Sequence, residues 1–211
     1  MTQFKFLRIE QHHPLLKDVL SLRYQVYCHE RGFEPPENHP GGLERDDFDQ
    51  SAVHFAAVSA QTGQVVGTVR LITHSQLGFP IEHAFEFNRD LSHLKRDQLG
   101  EISRLALSKE YCRTFKGRQR WQSEAGLIID GLFRCLAQES CRQGLTHLYA
   151  VMSRGLPILL ARKKILFSQI GLEKEYHGMR SPYVGAVRDI LNKNPELVLG
   201  EKSLEWSSAV A

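Results

Sequence analysis

Several kinds of chemistry are missing from this sequence. It has four cysteines in 211 residues, Cys28, Cys112, Cys135 and Cys141. None forms a C-x-x-C and no pair is flanked by histidines at zinc-ligand spacing, which predicts reduced thiols and no metal site. There is no G-x-x-x-x-G-K-[ST] and no G-x-G-x-x-G, so a phosphate-cradling loop of either type is unsupported. There is no G-x-S-x-G nucleophile elbow. No apolar run approaches the ~18 residues that a membrane span needs. The opening segment MTQFKFLRIE lacks the apolar stretch of a secretory leader, which predicts a cytoplasmic protein. The formal net charge of +3 and the absence of aromatic-interleaved basic runs argue against a nucleic-acid partner.

What remains fits a single α/β domain spanning 1–211: 42% of residues are hydrophobic and 24% charged, with no repeat and no linker composition. Residues 4–10 read as a short strand. From Pro14, the recurrence of Leu15, Leu16, Val19, Leu20, Leu22, Val26 and Tyr27 predicts a helix. RGFEPPENHPGG, with three prolines and three glycines, must be a loop. SAVHFAAVSA and QVVGTVRLITH read as a hairpin, and QLGEISRLALS as the next strand. KEYCRTFKGRQRWQ reads as a basic loop. A helix is predicted from the N-cap Ser123 to Gly144, then the strand LTHLYAVMS, a helix from Pro157 to Gly171, and two closing strands. The tail 191–211 has the pattern of a short amphipathic helix. Antiparallel strands followed by a βαβ-like crossover specify a mixed α/β (α+β) sheet with helices packed on it.

The informative residues are charges at core-patterned positions. Arg23 falls inside the first helix, Arg70 within GTVRLI, and Glu101 and Arg104 within GEISRLAL. Asp46, Asp47 and Asp49 crowd the loop before the hairpin. The plain reading is a buried ion-pair network that fixes register. The alternative is a polar pocket in which arginines and aspartates orient each other and a substrate while one carboxylate acts as base. Glu101 and Arg104 are an odd number of residues apart, so a regular strand points them to opposite faces. Both serve one pocket only if the strand is bulged. A second collection is basic: Arg113, Lys116, Arg118 and Arg120 after the Glu101 strand, and Arg162, Lys163 and Lys164 on the later helix. A solvated surface is the plain reading, and a dock for an anionic partner the functional one.

The strings RYQVYCHERGF (Arg23, Tyr27, Phe33), ERDDFD (Asp46, Asp49), GTVRLI (Arg70) and EISRLAL (Glu101, Ser103, Arg104) resemble, in order and spacing across residues 23–107, the acyl-homoserine-lactone synthases. These belong to the GNAT-like N-acyltransferases. Two further branches are similar: the long-chain N-acyl amino acid synthases, and the acyltransferases associated with the PEP-CTERM/exosortase system. The resemblance implies a GNAT-like, mostly antiparallel central sheet flanked by helices on both faces. It implies Glu101, Ser103 and Arg104 as catalytic residues. Arg23, Tyr27, Phe33, Asp46, Asp49 and Arg70 are implied around the substrate. The lactone synthases usually carry Trp at the position of Phe33 and Phe at that of Tyr27, so the resemblance supports acyl transfer to an amine more firmly than a lactone product. The family's Q/R-x-x-G-x-G/A motif for acetyl-CoA is absent after the Glu101 strand.

The expected enzyme is therefore an N-acyltransferase. It takes a long fatty acyl group from an acyl carrier protein thioester, or from acyl-CoA, to the amine of an amino acid or related small molecule. It holds no tightly bound cofactor and makes peripheral contact with its lipid product. The basic collections would dock the acidic carrier protein. The competing readings are a lactone synthase using S-adenosylmethionine, a CoA-dependent acetyltransferase of small amines, and a non-catalytic GNAT-like binding module.

Overall fold

The computed structural model describes residues 3–113 and 118–199. Its frame is an eight-stranded sheet in which β1 (Phe4–Ile9), β2 (Ala52–Ser59), β3 (Val65–Thr73) and β4 (Leu99–Leu107) follow one another as antiparallel neighbours. β4 then pairs in parallel with β5 (His147–Met152), and β5 pairs antiparallel with β8 (Met179–Ala186). Two-residue strands, β6 (Ser168–Gln169) and β7 (Lys174–Glu175), both pair with β8. This is the mixed, mostly antiparallel sheet expected from the sequence.

Helix α1 (Leu16–Tyr24) covers one face; α4 (Arg118–Arg142) covers the other, beside α6 (Val187–Lys193) and α7 (Glu196–Leu199). Alternation along the strands decides which residues go where. Phe55, Val69, Leu71 and Ile102 pack with Ile128, Leu132 and Leu136 of α4 in the principal core. Ile72, Leu99 and Tyr149 pack with Phe79, Ile81 and Phe85, around the short helix α2 (Pro80–Ala84), in a second core on the opposite face. No described helix is long and apolar enough to cross a membrane.

Four details differ from the sequence reading. The first helix continues past Tyr24 as a π-helical segment, Gln25–Glu30, which turns Tyr27 and Glu30 toward the end of the sheet. The basic segment is not all loop, because it contributes α3 (Lys109–Arg113) and the start of α4. The predicted helix to Gly171 stops early, as α5 (Gly155–Arg162). Lys164 takes a left-handed φ of 58°, and the N–H of Ile165 reaches back to the Leu160 carbonyl (3.0 Å) in a Schellman-like closure that buries Ile165. Finally, the last predicted strand is divided: β8 ends at Ala186 and α6 follows.

The β1–α4 packing has a measurable consequence. Gly131 sits in the interior of α4, where alanine ordinarily stabilises by about 1 kcal/mol. A Cβ there would collide with the Phe6 ring. Gly131→Ala should therefore destabilise, by about 1–3 kcal/mol in a urea titration.

Candidate active site

The site is organised by one irregularity in β4. The register against β3 pairs Ser103 with Arg70 and Ala106 with Thr68, leaving Arg104 and Leu105 opposite the single residue Val69. Arg104 has a left-handed φ of 52°. This is a β-bulge, and it is the condition under which Glu101 and Arg104 can share a pocket. On the other edge of β4, pairing with β5 ends at Ile102–Ala150, and the strands separate beyond that point.

Two chambers fill the opening. The larger, about 530 Å³, lies between the parted strands and beneath α4 and α5. Its far wall is apolar, with Ile129, Phe133, Leu156, Leu160 and Phe167. The smaller, about 80 Å³, is lined by Glu101, Glu34, Pro80 and Tyr176. Tyr27, Ile102, Ser103, Arg104, His177 and Arg180 border both, so the chambers meet over the bulge. Arg104 and His177, both non-glycine residues with positive φ, face this junction. Backbone held in such regions clusters at functional sites.

Glu101 is buried at the floor of the small chamber. One carboxylate oxygen accepts the Ile81 backbone N–H at 2.9 Å, delivered by the first turn of α2. Burial raises its pKa to about 8, more than the Ile81 hydrogen bond and the charges of Arg70 and Arg104 lower it. Near neutrality the side chain therefore holds a proton and lies within reach of losing it.

Behind the bulge stands a closed ring of charge. Arg23 binds Glu44 (2.5 Å) and both oxygens of Asp49 (2.7 and 3.1 Å). Arg70 binds Asp49 (2.8 Å), Asp46 (2.5 Å) and the Ser103 hydroxyl (2.9 Å). Arg104 completes it through Glu44 (3.1 Å), Asp46 (3.0 Å) and Glu34 (3.4 Å). The arginines hold the Asp49 carboxyl far below the ordinary carboxylate range and bring Glu44 down to about 2, against the opposing effect of burial. His54 sits against Asp49 (3.5 Å), and burial together with the Arg23 charge depresses its pKa to about 3, so it is neutral.

The sequence-predicted residues thus divide into three groups. Glu101, Ser103, Arg104, Tyr27 and Phe33 reach the chambers, with the Tyr27 hydroxyl donating to the Leu105 carbonyl at 3.2 Å. Arg23 and Arg70 are fully buried and engage Asp46 and Asp49, so these four build the wall behind the bulge. Neither Arg23 nor Arg70 lines a chamber. Arg162, Lys163 and Lys164 lie at the end of α5, where Lys163 pairs with Asp130 of α4 at 2.6 Å. Lys116 and the side chains of Arg113, Arg118 and Arg120 lie outside the described residues.

Glu34, Glu44, Tyr176, His177 and Arg180 were not anticipated. Glu44 belongs to the acidic run that drew attention to Asp46 and Asp49 and could have been found there. The other four come from loops or the closing strand, where the sequence carries no pattern that marks them.

The fold and the four motif strings point the same way as the family comparison, in which the family described as acetyltransferase (GNAT) domain matches residues 22–122. Residues 22–122 are what this chain shares with the GNAT acetyltransferase domain. No curated protein matches it by sequence. Among solved structures, the chain is similar to TofI, crystallised in a ternary complex with an inhibitor and MTA (17% identity, 92% of this chain and 99% of that one, TM-score 0.68). It is similar to BjaI, a CoA-dependent acyl-homoserine lactone synthase with SAM and isopentyl-CoA (16%, 92% and 89%, TM-score 0.67). It is also similar to FeeM, an N-acyl amino acid synthase from uncultured soil microbes (14%, 90% and 94%, TM-score 0.60). At these identities the likeness is one of fold.

The elevated Glu101 pKa has a stability signature. The carboxyl titrates near 4.5 when unperturbed and near 8 in the folded chain, so its contribution is complete below about pH 4.5 and is lost as pH rises toward 8. Glu101→Gln keeps an acceptor for the Ile81 N–H and removes the ionisation. Its Tm relative to the parent should therefore rise steadily between pH 5 and pH 8; a constant difference would contradict the burial argument.

Proposed function

We propose that this GNAT-type acyltransferase moves a long fatty acyl group from a carrier-protein thioester to the amine of an amino acid or related small molecule in the cytoplasm. The observation that carries the reading is the meeting of two unlike chambers over the β4 bulge. One is an apolar space of about 530 Å³, within the range of pockets that hold extended ligands, and the other is a small polar space with a buried carboxylate. An acetyl group would leave most of the apolar wall unused.

In this reading the acyl chain lies against Ile129, Phe133 and Phe167, and its thioester carbonyl sits at the junction near Ser103. The acceptor enters the small chamber. Glu101 as carboxylate takes a proton from the ammonium, and the freed amine attacks the carbonyl carbon. The new C–N bond forms, charge collects on the carbonyl oxygen, and the C–S bond then breaks to release the carrier thiolate, which takes the proton that the attacking nitrogen gives up in becoming an amide. Backbone amides on the open edge of β4, exposed by its separation from β5, are suited to hold the oxygen as charge develops. A base titrating near 8 is well matched to an amine of similar basicity. The carrier protein is acidic, so exposed Arg162 and Lys164 beside the chamber wall are suited to its docking. The S-adenosylmethionine and CoA chemistry of BjaI marks the alternatives, an acyl-lactone product or an acyl-CoA donor.

Two measurements test this. With a decanoyl-carrier-protein donor, kcat/KM should rise with pH to a plateau above about pH 8, and Glu101→Gln should lose about two to four orders of magnitude in kcat. A flat profile from pH 6 to 9, or full activity of the variant, removes Glu101 as base. Phe133, with Ile102 and Phe167, stands between the large chamber and a void of about 20 Å³ lined by Leu136, Ile190 and Leu197. Phe133→Ala joins the two, at a stability cost of about 3 kcal/mol. The preferred acyl chain, read by mass spectrometry of the products, should lengthen.

A further inference from the structure

The proposed mechanism leaves one cation at the junction without a task. Arg180, on β8, borders both chambers. Its Nε donates to the His177 carbonyl (3.1 Å), and its guanidinium carbon lies 4.8 Å from the centroid of the Phe33 ring. Among the described residues no carboxylate lies within ion-pair distance of it. The nearest acid in sequence, Glu175, accepts the Gly178 N–H instead, at 2.8 Å. Arg104, on the opposite wall, is the contrast, with three carboxylates in the same small space. Burial and the like charge of Arg31 pull the Arg180 pKa below its ordinary value, consistent with a partly desolvated cation lacking its counterion.

A guanidinium held by an aromatic face and one backbone carbonyl keeps donors free for a planar oxyanion. We propose that Arg180 binds the carboxylate of the acceptor, making the acceptor an amino acid with a free carboxylate rather than a simple amine. The inference rests on the acyl-transfer reading for the word acceptor. Glu101 and Arg180 line the same chamber of about 80 Å³, so one small molecule can present its amine to the first and its carboxylate to the second. A phosphate on the donor's pantetheine arm offers the same oxyanion chemistry. The acceptor is the better match because Arg180 shares the small chamber with the candidate base, where a donor arm would block the amine.

The test needs no turnover. N-dodecanoylglycine and its uncharged amide, N-dodecanoylglycinamide, are titrated into the full chain by calorimetry. The parent should bind the acid at least about tenfold more tightly than the amide. Arg180→Gln should bring that ratio to about one. Arg180→Lys, which keeps the charge and loses the fork, should retain part of it and decides the matter if the Gln variant does not fold. A parent ratio of one, or an Arg180→Gln ratio equal to the parent's, overturns the proposal. Dodecanoyl-pantetheine with and without its 4′-phosphate forms the second arm. If Arg180→Gln loses discrimination there and keeps it for the acid–amide pair, Arg180 belongs to the donor and the proposal fails. Absence of acyl transfer with every donor would remove the functional reading while leaving the binding ratios to decide the role of Arg180.

Discussion

The ring formed by Arg23, Arg70 and Arg104 with Glu44, Asp46 and Asp49 is the constraint on which the rest of the site depends. It ties the end of α1, the loop before β2, the middle of β3 and the bulge of β4 into one electrostatic unit. None of its members is expendable by itself, because withdrawing one charge strands another in the interior, at about 3–5 kcal/mol. The ring also stabilises an unfavourable backbone: Arg104 keeps a left-handed φ because its guanidinium is held by Glu44 and Asp46 from one side while Tyr27 lies beneath it, 5.3 Å from ring centroid to guanidinium carbon. The charge cluster is thus a clamp on geometry, and the chambers in front of it inherit their shape from that clamp.

Much of this was legible in the residues. The nearly continuous apolar runs of β2 and β3 marked strands buried on both faces, and the 3.6-residue period marked α4, which buries one face against the principal core. The bulge was legible as a condition, from the odd spacing of Glu101 and Arg104 and the cost of burying either alone. What escaped the pattern was local and chain-specific. α5 stops at Arg162 because Lys164 can adopt a left-handed turn that carries Ile165 into the core, although the apolar spacing of LFSQI would also suit a longer helix. The closing strand ends at Ala186 because the apolar VRDIL that follows packs as a helix beside α4.

The roles of the charged residues were less legible than their importance. Arg23, Arg70 and Arg104 are alike in sequence, each set in a largely apolar run. Only the three-dimensional pairing separates two buried wall residues from one that reaches the chambers. Arg180 escaped attention for the opposite reason. It lies in MRSPY, an unremarkable run near the start of a strand, and its isolation from carboxylates is a property of its neighbours in space.

The divided pairing of β4 has a mechanical consequence. From Leu99 to Ile102 the strand is bonded on both edges, to β3 and to β5, and its amides should exchange with solvent only through large-scale opening. Past Ile102 one edge is unoccupied. A single strand therefore holds Glu101 in its stiff half and presents its adaptable half to whatever enters the cavity. The proton-carrying group stays fixed while the backbone beside it can settle around a substrate.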